Sequence, residues 1–342
     1  MIEKWRIFRW LKILGLFITT SLVGRSIIYF THLLGRFFNQ TLLGRTLVFL
    51  SLPLFLLGFA LWPQDHSPPI FDMQVHYNQE SWRRVSTEAI LNTADELNIP
   101  WLLVGSTPNE GTLRLYREDP QRIIPMLVPQ LKREDRDNWF EKTDILEYIE
   151  REIKRGVYRG IGEFFLFDGQ LDTPVVRGMV KLAAEHDLIL HARSDPIAIR
   201  QLFAMDSSLR ILWAHAGMFT PPEQISDLLD RYPQLWVEIS HRGDVAPGGK
   251  LSDKWRKVLL RHSDRFMLGS GTYSSKYWYQ FRYYMGRYRD WLKDLPPQVA
   301  ERIAYQNGLV LFDLQYNKRP TQQAIDESNA VLTSTLLTLS HP

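Results

Sequence analysis

The chain contains no cysteine. That absence excludes disulfides and thiolate metal sites, but it does not identify a compartment, since an oxidising one would do no harm. A glycine-rich phosphate loop is also missing after the first strand-like run, where Asp72-Met73-Gln74-Val75-His76-Tyr77 stands instead. Gly248-Gly249-Lys250 lacks the Walker spacing and reads as a loop. No internal repeat and no low-complexity stretch is present. A basic body is lacking too. The formal net charge of +3 comes from residues 1–62, where Lys4, Arg6, Arg9, Lys12, Arg25, Arg36 and Arg45 stand against Glu3 alone. The remainder is mildly acidic, so the basic isoelectric point is no argument for nucleic-acid binding.

What is present is an ordinary globular composition, 45% hydrophobic and 23% charged over 342 residues. This is enough for one large α/β barrel or two smaller domains. Short apolar runs recur at Ile70–Val75, Trp101–Val104, Ile123–Val128, Gly160–Phe165, Leu188–His191, Ile211–Ala214, Leu235–Ile239 and Phe266–Leu268. Amphipathic stretches separate them at Ser86–Leu97, Asp144–Arg155, Pro174–His186, Ile197–Met205, Pro222–Tyr232 and Ser252–His262. Strands alternating with helices in this way predict a (β/α)8 TIM barrel over residues 70–318. A doubly wound sheet is the runner-up, disfavoured by the absent phosphate loop. Residues 319–342 form a tail, polar and then apolar.

The segment 1–62 reads differently. Thr46 to Trp62 carries no charge, and its length of about 17 residues is at the lower limit for a membrane-spanning helix. Upstream arginines and a tryptophan at its far end predict a membrane anchor with the barrel on the non-cytoplasmic side. Residues 63–69 then form a linker. The alternative is helical decoration packed on the barrel.

Three histidines end apolar runs: His76, His191 and His215. In a barrel of this kind the C-terminal strand ends converge on one pocket, so residues far apart in sequence meet there. Glu163 lies in an apolar strand, where a carboxylate is costly unless it is paired or ligating; a salt bridge to Arg193 or Arg159 would serve. Arg193 follows His191 by two residues and shares its strand face. Arg193 or Arg242 could clamp a substrate carboxylate bidentately, and Arg242 could instead pair with Asp244 or Glu238. Tyr273 to Tyr288 is rich in aromatics, as expected of a helix packed on the barrel with some rings at its mouth.

The order of motifs carries a resemblance. Phe71-Asp72-Met73-Gln74-Val75-His76 is followed by Gly160-Ile161-Gly162-Glu163, His191, His215-Ala216-Gly217 and Gly269-Ser270-Gly271-Thr272, then Leu295 to Ala300, Asn307-Gly308 and Leu311-Phe312. This resembles the amidohydrolase superfamily, in its amidohydrolase-related branch of metal-dependent hydrolases and decarboxylases. The resemblance implies a divalent metal, zinc or manganese, held by His76, His191, His215 and Glu163. The candidate catalytic residues are Glu163, His215 and Arg242, with substrate contacts expected from Arg193, Gln74 and Tyr273. The chain departs from the pattern where Gln74 replaces the first histidine of a His-x-His pair and Gly271 replaces a strand-end aspartate. The expectation is a hydrolase of a C–N, ester or lactone bond in a small molecule, metal-dependent or metal-free. The alternative is a catalytically inactive binding protein of the same fold at the membrane.

Overall fold

The computed structural model describes residues 68–315. Eight parallel strands pair in sequence order: β1 (Phe71–Val75), β2 (Trp101–Gly105), β3 (Ile123–Leu127), β4 (Gly160–Phe165), β5 (Ile189–Arg193), β6 (Ile211–Trp213), β7 (Leu235–Glu238) and β8 (Phe266–Met267). Backbone hydrogen bonds from Met73 N to Leu268 O and from Gly271 N to Gln74 O, both 2.8 Å, bring the last strand back to the first. The ring so formed is the (β/α)8 barrel that the alternating pattern predicts. All the expected strands form, with ends shifted by no more than two residues.

The helices that follow the strands are α1 (Thr87–Glu96), α2 (Glu110–Glu118), α3 (Thr143–Ile153), α4 (Pro174–Glu185), α5 (Pro196–Met205), α6 (Pro222–Arg231), α7 (Asp253–Arg261) and α8 (Ser275–Leu292). Their starts are written locally. Pro174, Pro196 and Pro222 open three of them, where a missing N–H costs no helical bond. Asp195 accepts from Ile197 N and Ala198 N, both at 2.8 Å, and so caps α5. Helix α3 buries Ile145, Tyr148, Ile149 and Ile153, one stripe at helical spacing.

Strand residues divide by face. Leu102, Val104, Leu190, Ala192, Trp213 and Val237 join the helices in the larger core. Phe71, Met73, Leu103, Ile124, Met126, Ile189, Leu212 and Met267 form a second cluster with Leu309, Leu311 and Phe312. This second cluster fills the barrel and closes its base. The short helix α9 (Pro297–Glu301) packs in the larger core through Ala300, and α10 (Asn307–Phe312) supplies the plug. Arg159 and Arg210 hold it by donating to the carbonyls of Phe312 at 2.6 Å and Leu311 at 3.1 Å. With the base sealed by apolar side chains, the polar strand-end residues are left at the opposite, C-terminal mouth.

No helix among the described residues is long and apolar enough to cross a membrane. The anchor expected at residues 46–62 lies outside the described residues, as does the tail.

Candidate active site

A cavity of about 1180 Å³ opens at the strand C-termini, lined by Gln74, His76, Glu163, Arg193, His215, His241 and Tyr273 among others. Its centre is Glu163. Two features of β4 bring that carboxylate inward. Gly162 takes φ +137°, and a Cβ there would fall 2.3 Å from the carbonyl oxygen of His191, so a side chain is excluded. The pairing of β4 with β5 shifts register between Gly162 and Phe164. Glu163 therefore turns into the barrel while Phe164 stays in the outer core.

Two imidazoles meet this carboxylate. His76 Nε2 lies 3.2 Å from Oε2 and His215 Nε2 lies 3.0 Å from Oε1. His76 is aimed by its other nitrogen, Nδ1, which donates to the Gly105 carbonyl at 2.6 Å. His215 sits just past β6 in a left-handed turn, with φ +53°. Its Nδ1 donates to Ser240 Oγ at 2.7 Å, and the Ser240 hydroxyl donates in turn to Glu238 Oε2 at 2.9 Å. Glu238 also accepts from the backbone N–H of His215 at 3.1 Å and from that of Ser240. The result is a buried chain running Glu163, His215, Ser240, Glu238.

Electrostatics follow from this arrangement. Burial pushes the Glu163 carboxyl up, but the charge of His215 and hydrogen bonds from His215 and His76 outweigh it and hold Glu163 well below the ordinary range. Burial likewise opposes charge on His215, yet Glu163 and Glu238 on either side raise its pKa above the usual value. The pair is thus an imidazolium against a carboxylate at the cavity floor. Glu238, buried on all sides, is raised chiefly by burial, with His215 opposing.

The sequence-predicted residues divide between those the structure brings together and those it does not. Gln74, His76, Glu163 and His215 meet: Gln74 Nε2 is 3.4 Å from His215 Nε2, and Gln74 Oε1 is buried with no partner among the described residues. Arg193 reaches the cavity and lies over the Phe165 ring at 4.5 Å. Tyr273 stands at the mouth, its ring centroid 6.1 Å from that of His241. Glu163 was read as either a metal ligand or the salt-bridge partner of Arg193 or Arg159, and the partners found are His76 and His215. His191 is buried and does not line the cavity; its Nε2 has no hydrogen-bond partner among the described residues, and burial drives its pKa down to about 3. Arg242 also lies outside the cavity lining. It pairs bidentately with Asp244 at 2.8 and 2.9 Å and donates to the carbonyls of Ala216 and Thr220, stitching the β6 and β7 loops together. That is the Asp244 pairing weighed against a substrate clamp.

Sequence reading gave Glu238 only as an alternative partner for Arg242 and assigned no role to Ser240 or His241. The signal for the first two was present: polar residues two apart, at the end of β7 and just past it, share one face in extended chain.

The expected metal was tested against the donor set, and the set does not fit. Gln74 offers a neutral amide where an imidazole was expected. Gly271 offers nothing, and a Cβ there would fall 2.1 Å from His241 Nε2, so an imidazole already fills that space. The Nε2 atoms of His76 and His215 both face Glu163, and His191 stands apart from the cavity. Among the described residues no group of three or more His, Cys, Asp or Glu is arranged to hold an ion. Of the four expected ligands, His76, His215 and Glu163 engage one another, while His191 is buried within reach of their charges.

Comparison with known proteins completes the picture. Residues 126–314, more than half of the chain, match the sequence profile described as amidohydrolase. The chain belongs to the amidohydrolase family. It is a hydrolase of the amidohydrolase superfamily, as the order of its motifs implied. No curated protein sequence matches it. Among solved structures it is similar to an uncharacterised TIM-barrel protein from Bordetella bronchiseptica, with 13% identity, 67% of this chain and 83% of that chain covered, and a TM-score of 0.51. It is also similar to a TatD homologue from Escherichia coli, with 15% identity, 72% and 98% coverage, and a TM-score of 0.50. At these identities the likeness is one of fold.

Proposed function

We propose that this amidohydrolase cleaves a C–N, ester or lactone bond in a small molecule held at the mouth of the barrel. The observation that carries the reading is the buried Glu163 carboxylate between His76 and His215, on the floor of an open cavity. His215 is kept cationic, so it presents positive charge where a carbonyl oxygen would gain negative charge. The Ser240–Glu238 relay fixes the orientation of its ring, as an orienting carboxylate does in other hydrolytic sites. Glu163 holds both imidazoles in register and supplies the compensating charge.

Arg193 sets orientation. Its guanidinium stacks on Phe165 and has no carboxylate partner among the described residues, which leaves its fork for a substrate carboxylate. Gln74 offers a buried, unpartnered carbonyl oxygen to a substrate N–H or a water. Tyr273 bounds the mouth. Polar groups placed at fixed points in a partly apolar cleft are what small-molecule selection needs.

The test is hydrolysis of a panel of carboxylate-bearing amides, esters and lactones by the full chain, with elemental analysis of the same sample. Turnover that Glu163→Gln and His215→Asn abolish supports the reading. No turnover across the panel favours a binding protein without catalysis. Near-stoichiometric zinc or manganese, lost on mutation of these histidines, would contradict the donor-set argument.

The basic and apolar segment 1–62 supports a further part of the reading: it tethers the barrel to a membrane, with the barrel on the non-cytoplasmic side. Release of the full-length chain by alkaline carbonate would refute the tether.

A further inference from the structure

The hydrolytic reading needs a group that takes a proton from water, and the residues at the cavity floor are poorly placed to be that group. Three histidines line the cavity: His76, His215 and His241. The first two have both ring nitrogens engaged, His76 by Gly105 and Glu163, His215 by Ser240 and Glu163. Glu163 has an imidazole on each oxygen. His241 differs. It follows β7 in a left-handed conformation, φ +58°, which swings its ring across the barrel mouth toward the β8 loop. There it fills the volume over Gly271, where any side chain would collide with Nε2 at 2.1 Å. One ring nitrogen hydrogen-bonds the Gly271 backbone, and the other has no partner among the described residues.

The surroundings hold that ring in one place. The His241 ring lies 5.2 Å, centroid to centroid, from His215 and edge-on to Tyr277 at 5.4 Å. Tyr273 and Tyr277 are joined by a 3.1 Å hydroxyl contact and form a wall behind it. Burial beneath these rings, with the nearby His215 charge, brings its pKa down to about 4, so at neutral pH it is an uncharged imidazole with an available lone pair. The glycine at 271 and the histidine at 241 are thus one arrangement: the empty Cβ position admits the ring.

We propose that His241 is the general base of this hydrolase. The inference rests on the hydrolytic reading above. Its free nitrogen removes a proton from water as the water oxygen bonds to the substrate carbonyl carbon, and the carbonyl π electrons move to oxygen, facing the His215 imidazolium. The tetrahedral species then collapses: the C–N or C–O bond breaks, and the proton on His241 passes to the leaving nitrogen or oxygen. The neutral imidazole is restored, and no other reactant is consumed.

Two measurements on the full chain decide this. The first is kinetic. His241→Gln is expected to lower kcat about 10²–10⁴-fold, the usual span for a general base, with KM changed far less. In His241→Ala, added imidazole is expected to restore turnover in proportion to its concentration; a residue that only packs against Gly271 would show no such rescue. Retention of wild-type kcat by His241→Gln, or loss in His241→Ala that imidazole does not repair, overturns the assignment. The second needs no turnover. Diethyl pyrocarbonate acylates free neutral imidazole nitrogens, and peptide mapping should find His241 modified ahead of His76, His191 and His215. Modification of any of those three first overturns it. A wild type that hydrolyses nothing on the panel counts against the hydrolytic reading, and the modification order then still decides whether His241 presents a free nitrogen to the cavity.

Discussion

His191 sits within β5 and His241 just past β7 of the same barrel, and burial lowers both pKa values, to about 3 and about 4. One is enclosed within the barrel and does not line the cavity at its mouth; the other lies across the mouth. The sequence singles out His191, because a strand-end histidine after an apolar run is a recognisable pattern. His241 also ends such a run, but it reaches the mouth only through a left-handed backbone turn and a glycine thirty residues downstream. The comparison teaches that a histidine's contribution depends on where its nitrogens point and on what already holds them. His215 is the third case, with both nitrogens committed and its charge fixed by the commitment.

The comparison can be broken by mutation. The largest effect belongs to His215→Asn, which removes the cation and uncouples Glu163 from the Ser240–Glu238 relay. Turnover is expected to fall by roughly 10³-fold, read as kcat on the best panel substrate. Arg193→Ala comes next. It should raise KM about 10–100-fold for substrates bearing a carboxylate, the worth of a charge-assisted bidentate pair, and change KM little for neutral analogues. If both substrate types suffer equally, Arg193 does not read the carboxylate.

Smaller effects lie in stability and its dependence on pH. His191 stays neutral in the folded barrel down to about pH 3, while the unfolded chain takes up a proton near the ordinary histidine value of 6.5. The unfolded state therefore binds more protons in that window, and the stability tied to His191 is full above pH 6.5 and falls as pH drops toward 3, by about 1.4 kcal/mol per pH unit. Replacing it with Asn should flatten the acid slope of the urea midpoint between pH 6 and 4. Asp72 has the opposite sign. Burial raises its pKa from 3.8 to about 7, so the folded state holds the proton longer and stability is lost as pH rises through that window. Asp72→Asn should stabilise the protein more at pH 8 than at pH 5, by denaturant titration. An Asp72→Asn effect that is the same at both values would contradict the protonated carboxyl.

Much of the fold was legible because strands covered on both faces are short, nearly continuous apolar runs, and their order left few topologies open. Helix α2 escaped because Glu110 to Glu118 interleaves charges with few apolar residues, and α10 because its short apolar run packs into the barrel base. Of the site, His76, Glu163 and His215 were visible as strand-end polar groups in apolar settings. The relay of Ser240 and Glu238 was hidden because it acts through His215 and not through the cavity. Arg242 looked available because sequence does not show that its guanidinium is spent on Asp244 and two loop carbonyls. Gln74 and Gly271 read as losses from a metal site, and only the coordinates show an imidazole filling the second gap.

The central claim is that distant imidazoles gather on one carboxylate at the barrel mouth and that this assembly hydrolyses the substrate. The direct measurement is kcat of Glu163→Gln against wild type on the best panel substrate, with the near-ultraviolet circular dichroism of both recorded to confirm a common fold. The amide is close in size to the carboxylate but carries no charge, so a loss of at least about 100-fold with an unchanged spectrum is the expected result. A Glu163→Gln enzyme that turns over at the wild-type rate would contradict the account.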